Sequence, residues 1–315
     1  MKIVVTGALG HIGSALIRML PLQFPESRVV LVDSLMTQRY CSLFNLPAEG
    51  NYTFIEGDIE KLDLLEVFDD AYVVIHLAAI TDAAGSFDKA EQVERNNLNS
   101  TKLIAESCAQ ADVRLITLSS TSVYGTSESL VDEECSSAEL KPQSPYATTK
   151  LKEEEYVRAL CRDKGLKAAV CRFGTIFGVS PGMRFHTAVN KFCWQASWGQ
   201  PLTVWSTAYN QVRPYLDLLD ACNAIAHIIK NDLFGGEVYN VLTLNASVCQ
   251  VIDEIKKYKN DINVKMVDSM IMNQLSYEVS TKKFSSTGFV YAGDLGRGVV
   301  DTMRLLRTFQ NKPSE

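Results

Sequence analysis

The chain has 315 residues, of which 46% are hydrophobic and 22% charged, and its formal net charge is −6. This composition is typical of a globular protein, and the length suits one large α/β unit or two closely associated lobes. The acidic balance and the lack of a run of Lys or Arg argue against nucleic acid as a partner.

Targeting signals, membrane spans and metal motifs are not expected. Residues 1–7 are typical of a strand followed by a glycine turn, which leaves no room for a signal peptide. The longest apolar stretch, residues 71–80, is too short to span a bilayer. The eight cysteines include no Cys-x-x-Cys pair and the four histidines show no ligand spacing. We therefore expect a cytoplasmic protein with reduced thiols, no metal and no membrane contact.

Short apolar runs alternate with helical patterns through the first half of the chain. The predicted strands are Lys2–Thr6, Arg28–Val32, Tyr52–Ile55, Tyr72–Leu77, Val113–Ser119 and Ala168–Phe173. The predicted helices are His11–Leu20, Leu62–Phe68, Ala90–Ala111 and Tyr146–Asp163. Apolar strands separated by helices indicate an α/β fold: a Rossmann-type, doubly wound parallel sheet with its ligand crevice at the carboxyl ends of the strands.

The regular alternation fades after about residue 175. Two further strands and one helix are predicted there, at Tyr215–Leu218, Val238–Val241 and Ala221–Lys230. We predict a Rossmann domain over residues 1–175, with returning segments near 213–241. Residues 176–315 are expected to form mainly a smaller C-terminal lobe that binds substrate and closes over the crevice.

A glycine-rich turn joins the first predicted strand to the first predicted helix. Gly7, Gly10 and Gly13 have the spacing G-x-x-G-x-x-G. Gly7 allows a tight turn, Gly10 lets a pyrophosphate approach the backbone, and Gly13 lets the helix pack close to the strand. The N–H groups and positive end of the helix would then face the phosphates of a dinucleotide.

Two acidic residues follow the next strands. Asp33 lies about 20 residues after Gly13, where a carboxylate can accept both adenosine ribose hydroxyls and would repel a 2′-phosphate. This favours NAD over NADP. Asp58 is interpreted either as a contact to the adenine amino group or as a turn or helix cap.

Tyr146 and Lys150 are one helical turn apart and therefore share a helix face. An ordinary tyrosine has a pKa of about 10, and a neighbouring ammonium favours its phenolate. Tyr146 is thus a candidate acid/base, the alternative being an exposed pair on a surface helix. Ser120, in the loop after the fifth strand, is placed to polarise the same substrate oxygen, although loop serines are usually turn residues.

The chain resembles the extended short-chain dehydrogenases/reductases, within the NAD-dependent nucleotide-sugar epimerase/dehydratase family (UDP-glucose 4-epimerase-like), over almost its whole length. The segments that carry the resemblance are Thr6–Gly13, Asp33, Gly57–Ile59, His76–Ala79, Asn97–Thr101, Ser119–Gly125, Tyr146–Lys150, Arg172–Gly178 and Arg213–Leu216. The resemblance implies NAD contacts from Gly7, Gly10, His11, Ile12, Gly13, Asp33, Ser34, Asp58, Ile59, Leu77, Ala78, Ala79, Asn97, Tyr146 and Lys150. It implies Ser120, Tyr146 and Lys150 as the catalytic residues.

The reaction implied by the resemblance is oxidation at C4 of a nucleoside-diphosphate sugar to a 4-keto sugar. Similar dehydratases carry Asp and Glu directly after the catalytic hydroxyl residue, where this chain has Thr121 and Ser122. Similar decarboxylases carry a Glu in this loop, which is also absent. A 4-epimerase is therefore predicted, with a 4-dehydrogenase or 4-ketoreductase as the alternative. A non-catalytic NAD-binding scaffold or sensor is the alternative from another class.

The resemblance also implies the substrate contacts Ser120, Thr175, Val204, Trp205 and Arg213, and Arg184 is a further candidate. Arg213 stands where the family binds the diphosphate, which suits a guanidinium. Trp205 is either a contact to the nucleotide base or a core residue. The family often has Asn in place of Thr175 and an arginine near Asn273, so one phosphate ligand is missing here. Arg184 is either its replacement or a surface arginine.

A homodimer is expected from the two long helices. Ala90–Ala111 and Tyr146–Asp163 correspond to the helices that pair into a four-helix interface in proteins that the chain resembles. Leu103, Val157 and Leu160 are candidate interface residues. The charged run over residues 152–155 is interpreted as a solvated face of the second helix.

Overall fold

A computed structural model describes residues 1–81, 90–125, 130–136, 140–268 and 276–307. Its strands are β1 (Lys2–Thr6), β2 (Arg28–Asp33), β3 (Asn51–Glu56), β4 (Ala71–His76), β5 (Arg114–Ser120), β6 (Leu130–Val131), β7 (Ala168–Phe173), β8 (Thr175–Phe177), β9 (Leu202–Trp205), β10 (Val212–Asp217), β11 (Gly235–Val241), β12 (Leu244–Ser247), β13 (Val264–Val267) and β14 (Glu278–Val279). Its helices are α1 (His11–Gln23), α2 (Leu64–Phe68), α3 (Ala90–Gln110), α4 (Pro145–Lys164), α5 (Ala188–Ser197), α6 (Leu218–Lys230), α7 (Val248–Tyr258), α8 (Lys282–Ser285) and α9 (Leu295–Leu306).

Seven strands form one large sheet in the order β11-β7-β5-β4-β1-β2-β3, and every neighbouring pair is parallel. The strand order reverses between β1 and β4. In doubly wound sheets a ligand crevice opens at such a switch point, outside the carboxyl ends of the strands. The predicted Rossmann-type fold is confirmed.

The sheet is covered on both faces, which explains why its strands are continuous apolar runs. Ile3 and Val5 of β1 belong to a core shared with α1 and α6. Val4, which points the opposite way in the pleat, belongs to a core shared with α3 and α4. Each strand therefore contributes to two hydrophobic layers.

Apart from β6, the strands of the smaller sheets come from the C-terminal half of the chain. β8, β10 and β12 form a three-stranded sheet, β9 pairs with β13, and β14 pairs with β6. Their core includes α5, α7 and α9. The chain returns to the large sheet through β11, whereas β10 stays in the three-stranded sheet. The division at residue 175 stays a prediction.

One strand boundary differs from the prediction for a local reason. The strand predicted over Tyr215–Leu218 runs from Val212 to Asp217, and Leu218 begins α6. The Asp217 side chain accepts a hydrogen bond from the Leu219 N–H at 2.9 Å and so caps the helix. An aspartate at the N-cap position ends the strand one residue earlier than its apolar pattern does.

The interpretation of residues 152–155 as a solvated face is wrong for two of the four. Lys152 and Glu155 are exposed, but Glu153 and Glu154 are each only 2% exposed. The reason is helical phase: Lys150, Glu153, Glu154 and Val157 lie at i, i+3, i+4 and i+7, the spacing of a buried helix face. The two acids are accommodated there because they pair with buried cations.

The candidate dimer contacts also need correction. Val157 and Leu160 are buried in the core between α4 and the large sheet, so they are not available to a second copy. Leu103 on α3 is 37% exposed and remains available. The homodimer itself stays a prediction. Within the described ranges, no helix has the length and apolarity that a membrane crossing needs.

Candidate active site

A cavity of about 640 Å³ lies along the carboxyl ends of the parallel strands. Its walls include residues that follow β1 and β3. They also include the last residues of β2, β4, β5 and β7. The same cavity continues to residues of α5, β9 and β10 in the smaller lobe. It therefore joins the region expected for a dinucleotide to the region expected for a substrate.

The glycine loop forms one wall of this cavity and tolerates no side chain at two positions. Gly7 has a φ of +68°, and a Cβ atom there would lie 2.6 Å from the Ala78 nitrogen. A Cβ at Gly13 would lie 2.4 Å from the Gly7 carbonyl oxygen. The loop thus packs backbone against backbone just before α1, with the helix N-terminus facing the cavity. This is the cradle that a pyrophosphate requires.

Asp33 is held at the end of β2 by two backbone N–H groups. Its Oδ2 accepts from Leu9 at 3.0 Å and its Oδ1 from Leu35 at 2.9 Å. Each oxygen keeps a lone pair for a ribose hydroxyl. Asp58 accepts a hydrogen bond from the Glu60 N–H at 3.1 Å and also lines the cavity, so both interpretations of Asp58 have support.

Residues 178–182 form hydrogen bonds to the glycine loop and the start of α1. His11 Nε2 lies 2.9 Å from the Gly178 carbonyl oxygen, and Ser180 donates to the His11 carbonyl at 2.8 Å. The Gly182 N–H donates to Ser14 Oγ at 2.9 Å. Burial lowers the pKa of His11 to about 4, so its imidazole is neutral near pH 7. The smaller lobe is tied directly to the cofactor loop.

The start of α4 carries the tyrosine and lysine. Ser144 is the N-cap, accepting a hydrogen bond from the Ala147 N–H at 3.1 Å, and Pro145 occupies the first helical turn. Both residues are typical of a helix start. Tyr146 therefore sits at the cavity edge, with Lys150 one turn further along, and both line the cavity.

Burial and charge act in opposite directions on this pair. Burial raises the pKa of Tyr146 above its ordinary value, and the nearby Lys150 charge lowers it by less. Burial works against the Lys150 ammonium, but Glu153 and Tyr146 together raise the pKa of Lys150. The ammonium thus favours the phenolate as expected, but it does not by itself outweigh burial. A bound positive charge would act in the same direction as Lys150.

Ser120 ends β5 and lines the cavity. Its Oγ accepts hydrogen bonds from the Ser122 N–H at 3.2 Å and the Ser122 hydroxyl at 2.8 Å. A hydroxyl that accepts twice still has its own proton to donate. Ser120 can therefore act as a donor at the cavity wall.

A buried hydrogen-bond network joins the turn after Ser120 to α4. Arg172 of β7 donates to the Tyr124 hydroxyl at 2.7 Å, and Tyr124 donates to Asn240 of β11 at 2.9 Å. Arg172 also donates to Glu154 of α4. One hydrogen-bond network therefore joins the turn that follows Ser120 to the helix that carries Tyr146.

The residues predicted to bind substrate line the other end of the cavity. They are Thr175, Arg184, Val204, Trp205 and Arg213, together with Ser120. The Arg213 guanidinium lies 5.2 Å from the centre of the Tyr277 ring and donates to Gln211 Oε1 at 3.1 Å. Arg184 donates from Nε to His186 Nδ1 at 3.2 Å. Val204 is buried in the core of the smaller lobe, and Trp205 is partly exposed.

All but one of the residues predicted to bind NAD also line the cavity. The exception is Asn97, which is fully buried. Its amide accepts from the Ile80 N–H at 2.8 Å and donates to the Ile80 carbonyl at 2.9 Å. Asn97 therefore fixes the segment after β4, while its neighbour Asn96 lines the cavity.

Several lining residues were not predicted from the sequence. Lys191, Gln211 and Tyr277 line the substrate end. Lys191 lies on α5, and its sequence context alone does not distinguish it from a surface lysine. The predicted phosphate-ligand region around Asn273 lies outside the described residues.

Carboxylates are sparse around the cavity. Among the described lining residues, only Asp33 and Asp58 are acidic, and they lie at the ends of β2 and β3. Ser120 lies at the end of β5, three strand positions from β2 and therefore about 14 Å away across the sheet. Thr121 and Ser122, which replace the two acids of similar dehydratases, make hydrogen bonds to Phe173 and Ser120. Within the described ranges, no cluster of His, Cys, Asp or Glu could hold a metal.

The fold, the glycine cradle and the Tyr146/Lys150 pair define an NAD-binding protein of the short-chain dehydrogenase/reductase type. The model of the NAD dependent epimerase/dehydratase family matches residues 3–241, and the chain belongs to this family.

Two of the curated relatives are named for reactions of UDP-sugars. A trifunctional UDP-glucose 4,6-dehydratase/UDP-4-keto-6-deoxy-D-glucose 3,5-epimerase/UDP-4-keto-L-rhamnose-reductase of Arabidopsis thaliana is 30% identical over 96% of this chain. The chain spans about half of that relative, 46% of its length. An uncharacterized UDP-glucose epimerase of Bacillus subtilis is 29% identical over 81% of both chains.

Solved structures agree on the fold. The UDP-glucuronic acid 4-epimerase of Bacillus cereus, in complex with UDP-glucuronic acid and NAD, is 26% identical. It has a TM-score of 0.88, with 98% of this chain and 99% of that chain covered. MoeE5 in complex with UDP-glucuronic acid and NAD is 25% identical with a TM-score of 0.83.

Proposed function

We propose that the protein is an NAD-dependent nucleotide-sugar 4-epimerase that works through a transient 4-keto sugar. One observation carries the proposal: Ser120, Tyr146 and Lys150 line the same cavity, and its only described acids lie at the ends of β2 and β3. Expulsion of water from a keto sugar needs an acid and a base beside the reacting carbons. Reversible oxidation and reduction at C4 need only a proton acceptor, a donor to O4 and the cofactor.

Each residue of the site has a separate part in this chemistry. The glycine loop and Asp33 would bind NAD, which when bound accepts the hydride from C4 and returns it. Tyr146 takes the proton from O4 during oxidation and gives it back during reduction, and the Lys150 charge favours its phenolate. Ser120 donates a hydrogen bond to O4 and stabilises the negative charge that develops there. The configuration changes if the keto sugar presents its opposite face before reduction.

The substrate end suits a nucleoside diphosphate. Its described lining includes the cationic residues Arg184, Lys191 and Arg213 and no carboxylate. Arginine binds phosphate oxygens through paired N–H groups. The Bacillus cereus 4-epimerase and MoeE5 were solved with UDP-glucuronic acid, which supports a UDP-sugar as the first candidate.

The test is direct incubation of the NAD-loaded protein with UDP-, GDP- and CDP-sugars, followed by NMR of the C4 configuration. Inversion at C4 without net NADH formation is the expected result with at least one sugar. Retention of the configuration with every sugar would refute the proposal. Net NADH formation or consumption would instead identify a 4-dehydrogenase or 4-ketoreductase.

A further inference from the structure

Glu153 is a buried acid that the proposed chemistry does not use. Its Oε2 lies 2.9 Å from Lys150 Nζ, and Thr101 of α3 donates to the same oxygen at 3.0 Å. Its Oε1 is buried without a hydrogen-bond partner among the described residues. Only one of the two carboxylate oxygens therefore has hydrogen-bond partners among the described residues. Burial of a charged group costs free energy, so this arrangement is unfavourable on its own.

Packing alone does not explain an acid at this position. Apolar side chains at nearby buried positions include Val157 of α4 and Ile104 and Ala105 of α3. The other buried acid of this helix face, Glu154, has its own partner in Arg172. An apolar side chain of similar volume would fill the space between α3 and α4 without the desolvation cost. Among the described residues, the charged contact of the Glu153 carboxylate is Lys150, the lysine of the candidate active site.

We propose that Glu153 is a positioning residue, which holds the Lys150 ammonium charged and in a fixed place at the cavity wall. Lys150 is only 5% exposed, and a buried amine without a counter-ion tends to become neutral. A neutral amine would no longer favour the Tyr146 phenolate. Glu153 does not line the cavity, so it acts through Lys150 and not on a substrate.

The other groups around this pair do not replace Glu153. Tyr146 lies on the same helix, His76 faces Lys150 from β4, and Arg184 acts from the segment before α5. Burial lowers the pKa of His76 to about 3, so it is neutral near pH 7, and Arg184 is a second cation. Helix α3 contributes the uncharged Thr101. Among these groups Glu153 alone supplies a negative charge to a protonated lysine when Tyr146 is a phenol.

The test is a titration of Tyr146 in the NAD-loaded protein. Tyrosinate formation is followed by ultraviolet difference absorbance, with the same titration of Tyr146→Phe subtracted to isolate this residue. In Glu153→Gln we expect the tyrosinate midpoint to rise by about one pH unit. The reason is that Lys150 lowers the pKa of Tyr146 more strongly than Glu153 raises it, so the loss of the ammonium dominates.

Matched variants separate this role from a structural one. Glu155→Gln removes the same charge from an exposed position two residues away and is expected to leave the midpoint unchanged. Glu153→Asp keeps the charge and should return the midpoint toward the wild-type value. If Glu153→Gln does not fold, Glu153→Met keeps the volume without a polar group and should show the same rise.

The tyrosinate midpoint of the neutral variants decides the proposal, which requires it to rise. A midpoint that falls or stays the same in the neutral variants would overturn the proposal, as would an equal rise in Glu153→Asp. The inference rests on Tyr146 as the acid/base of the proposed function, but the tyrosinate signal requires no sugar. A rise in the midpoint without epimerisation of any sugar would leave this inference standing and refute the proposed function.

Discussion

Arg172 and Glu154 form a buried two-point ion pair between β7 and α4, with N–O distances of 2.9 and 2.5 Å and each residue 2% exposed. The same guanidinium donates to the Tyr124 hydroxyl, which lies in the loop after Ser120. Through Arg172, the helix that carries Tyr146 is therefore hydrogen-bonded to the turn that follows Ser120. A buried pair gains little over apolar packing, but loss of one partner leaves an uncompensated charge.

Loss of this pair should affect stability first. In Glu154→Gln we expect the free energy of unfolding to fall by about 3 kcal/mol, because the buried Arg172 keeps its charge and loses its anion. Urea denaturation measures the change. The exposed neighbour Glu155→Gln is the control and should stay within about 0.5 kcal/mol of the wild type. Equal losses in the two variants would show that the pair has no special energetic role.

Removal of the Tyr146 hydroxyl should separate chemistry from cofactor binding. In Tyr146→Phe we expect turnover to fall by about three orders of magnitude, because no other described group replaces the proton acceptor, while NAD affinity stays nearly the same. Turnover by NMR and NAD binding by calorimetry are measured on the same preparation. Tyr40→Phe, at an exposed tyrosine, is the matched control. An unchanged rate would remove Tyr146 from the mechanism.

Cofactor choice should depend on the Asp33 carboxylate. In Asp33→Asn we expect the dissociation constant for NAD to rise about tenfold, since an amide cannot accept as many hydrogen bonds as a carboxylate. The preference for NAD over NADP should narrow, because the repulsion of a 2′-phosphate is lost. Both are measured by calorimetric titration. Glu56→Gln is the control, at the exposed strand end opposite Asp33 in the β2/β3 register. Equal NAD affinities in wild type and Asp33→Asn would contradict this assignment.

The large sheet could be predicted from the sequence because its physical signal is local. A buried parallel strand is a short apolar run, and several runs here end at or just before a glycine, an aspartate or a serine that lines the cavity. The predicted strands Lys2–Thr6 and Ala168–Phe173 have the same bounds in the structure, and the others differ by one to three residues at an end. The glycine loop, Asp33 and the Tyr146/Lys150 pair could also be predicted, because each is a local pattern in the sequence.

Contacts between distant parts of the chain could not be predicted in this way. Glu153 and Glu154 sit in a charged run that is typical of a surface, and their burial depends on Thr101 and Arg172, far away in sequence. Asn97 has the right residue type for a cofactor contact, but its side-chain amide forms hydrogen bonds with the backbone of Ile80. These outcomes depend on tertiary partners and not on local pattern.

The glycine cradle makes a steric prediction. In Gly13→Ala the new Cβ would lie 2.4 Å from the Gly7 carbonyl oxygen, a clash between backbone-linked atoms that only a shift of α1 can relieve. We expect a loss of NAD affinity of at least about tenfold, together with lower stability. Gly235→Ala is the control, because its Cβ would meet nothing closer than 4.0 Å. Similar NAD affinities in the two variants would show that the loop does not carry the cofactor.

Two buried histidines predict acid sensitivity. Burial lowers the pKa of His76 to about 3 and that of His11 to about 4, below the ordinary value of 6.5. Between each lowered pKa and the ordinary value of 6.5, the unfolded chain therefore binds more protons than the folded protein. The free energy of unfolding consequently decreases as the pH falls below about 6.5. Each histidine contributes a slope approaching about 1.4 kcal/mol per pH unit. Urea unfolding at a series of pH values measures the slope. In His76→Gln the slope between pH 6 and pH 4 should be about half as steep, and an identical slope in both proteins would contradict a neutral, buried His76.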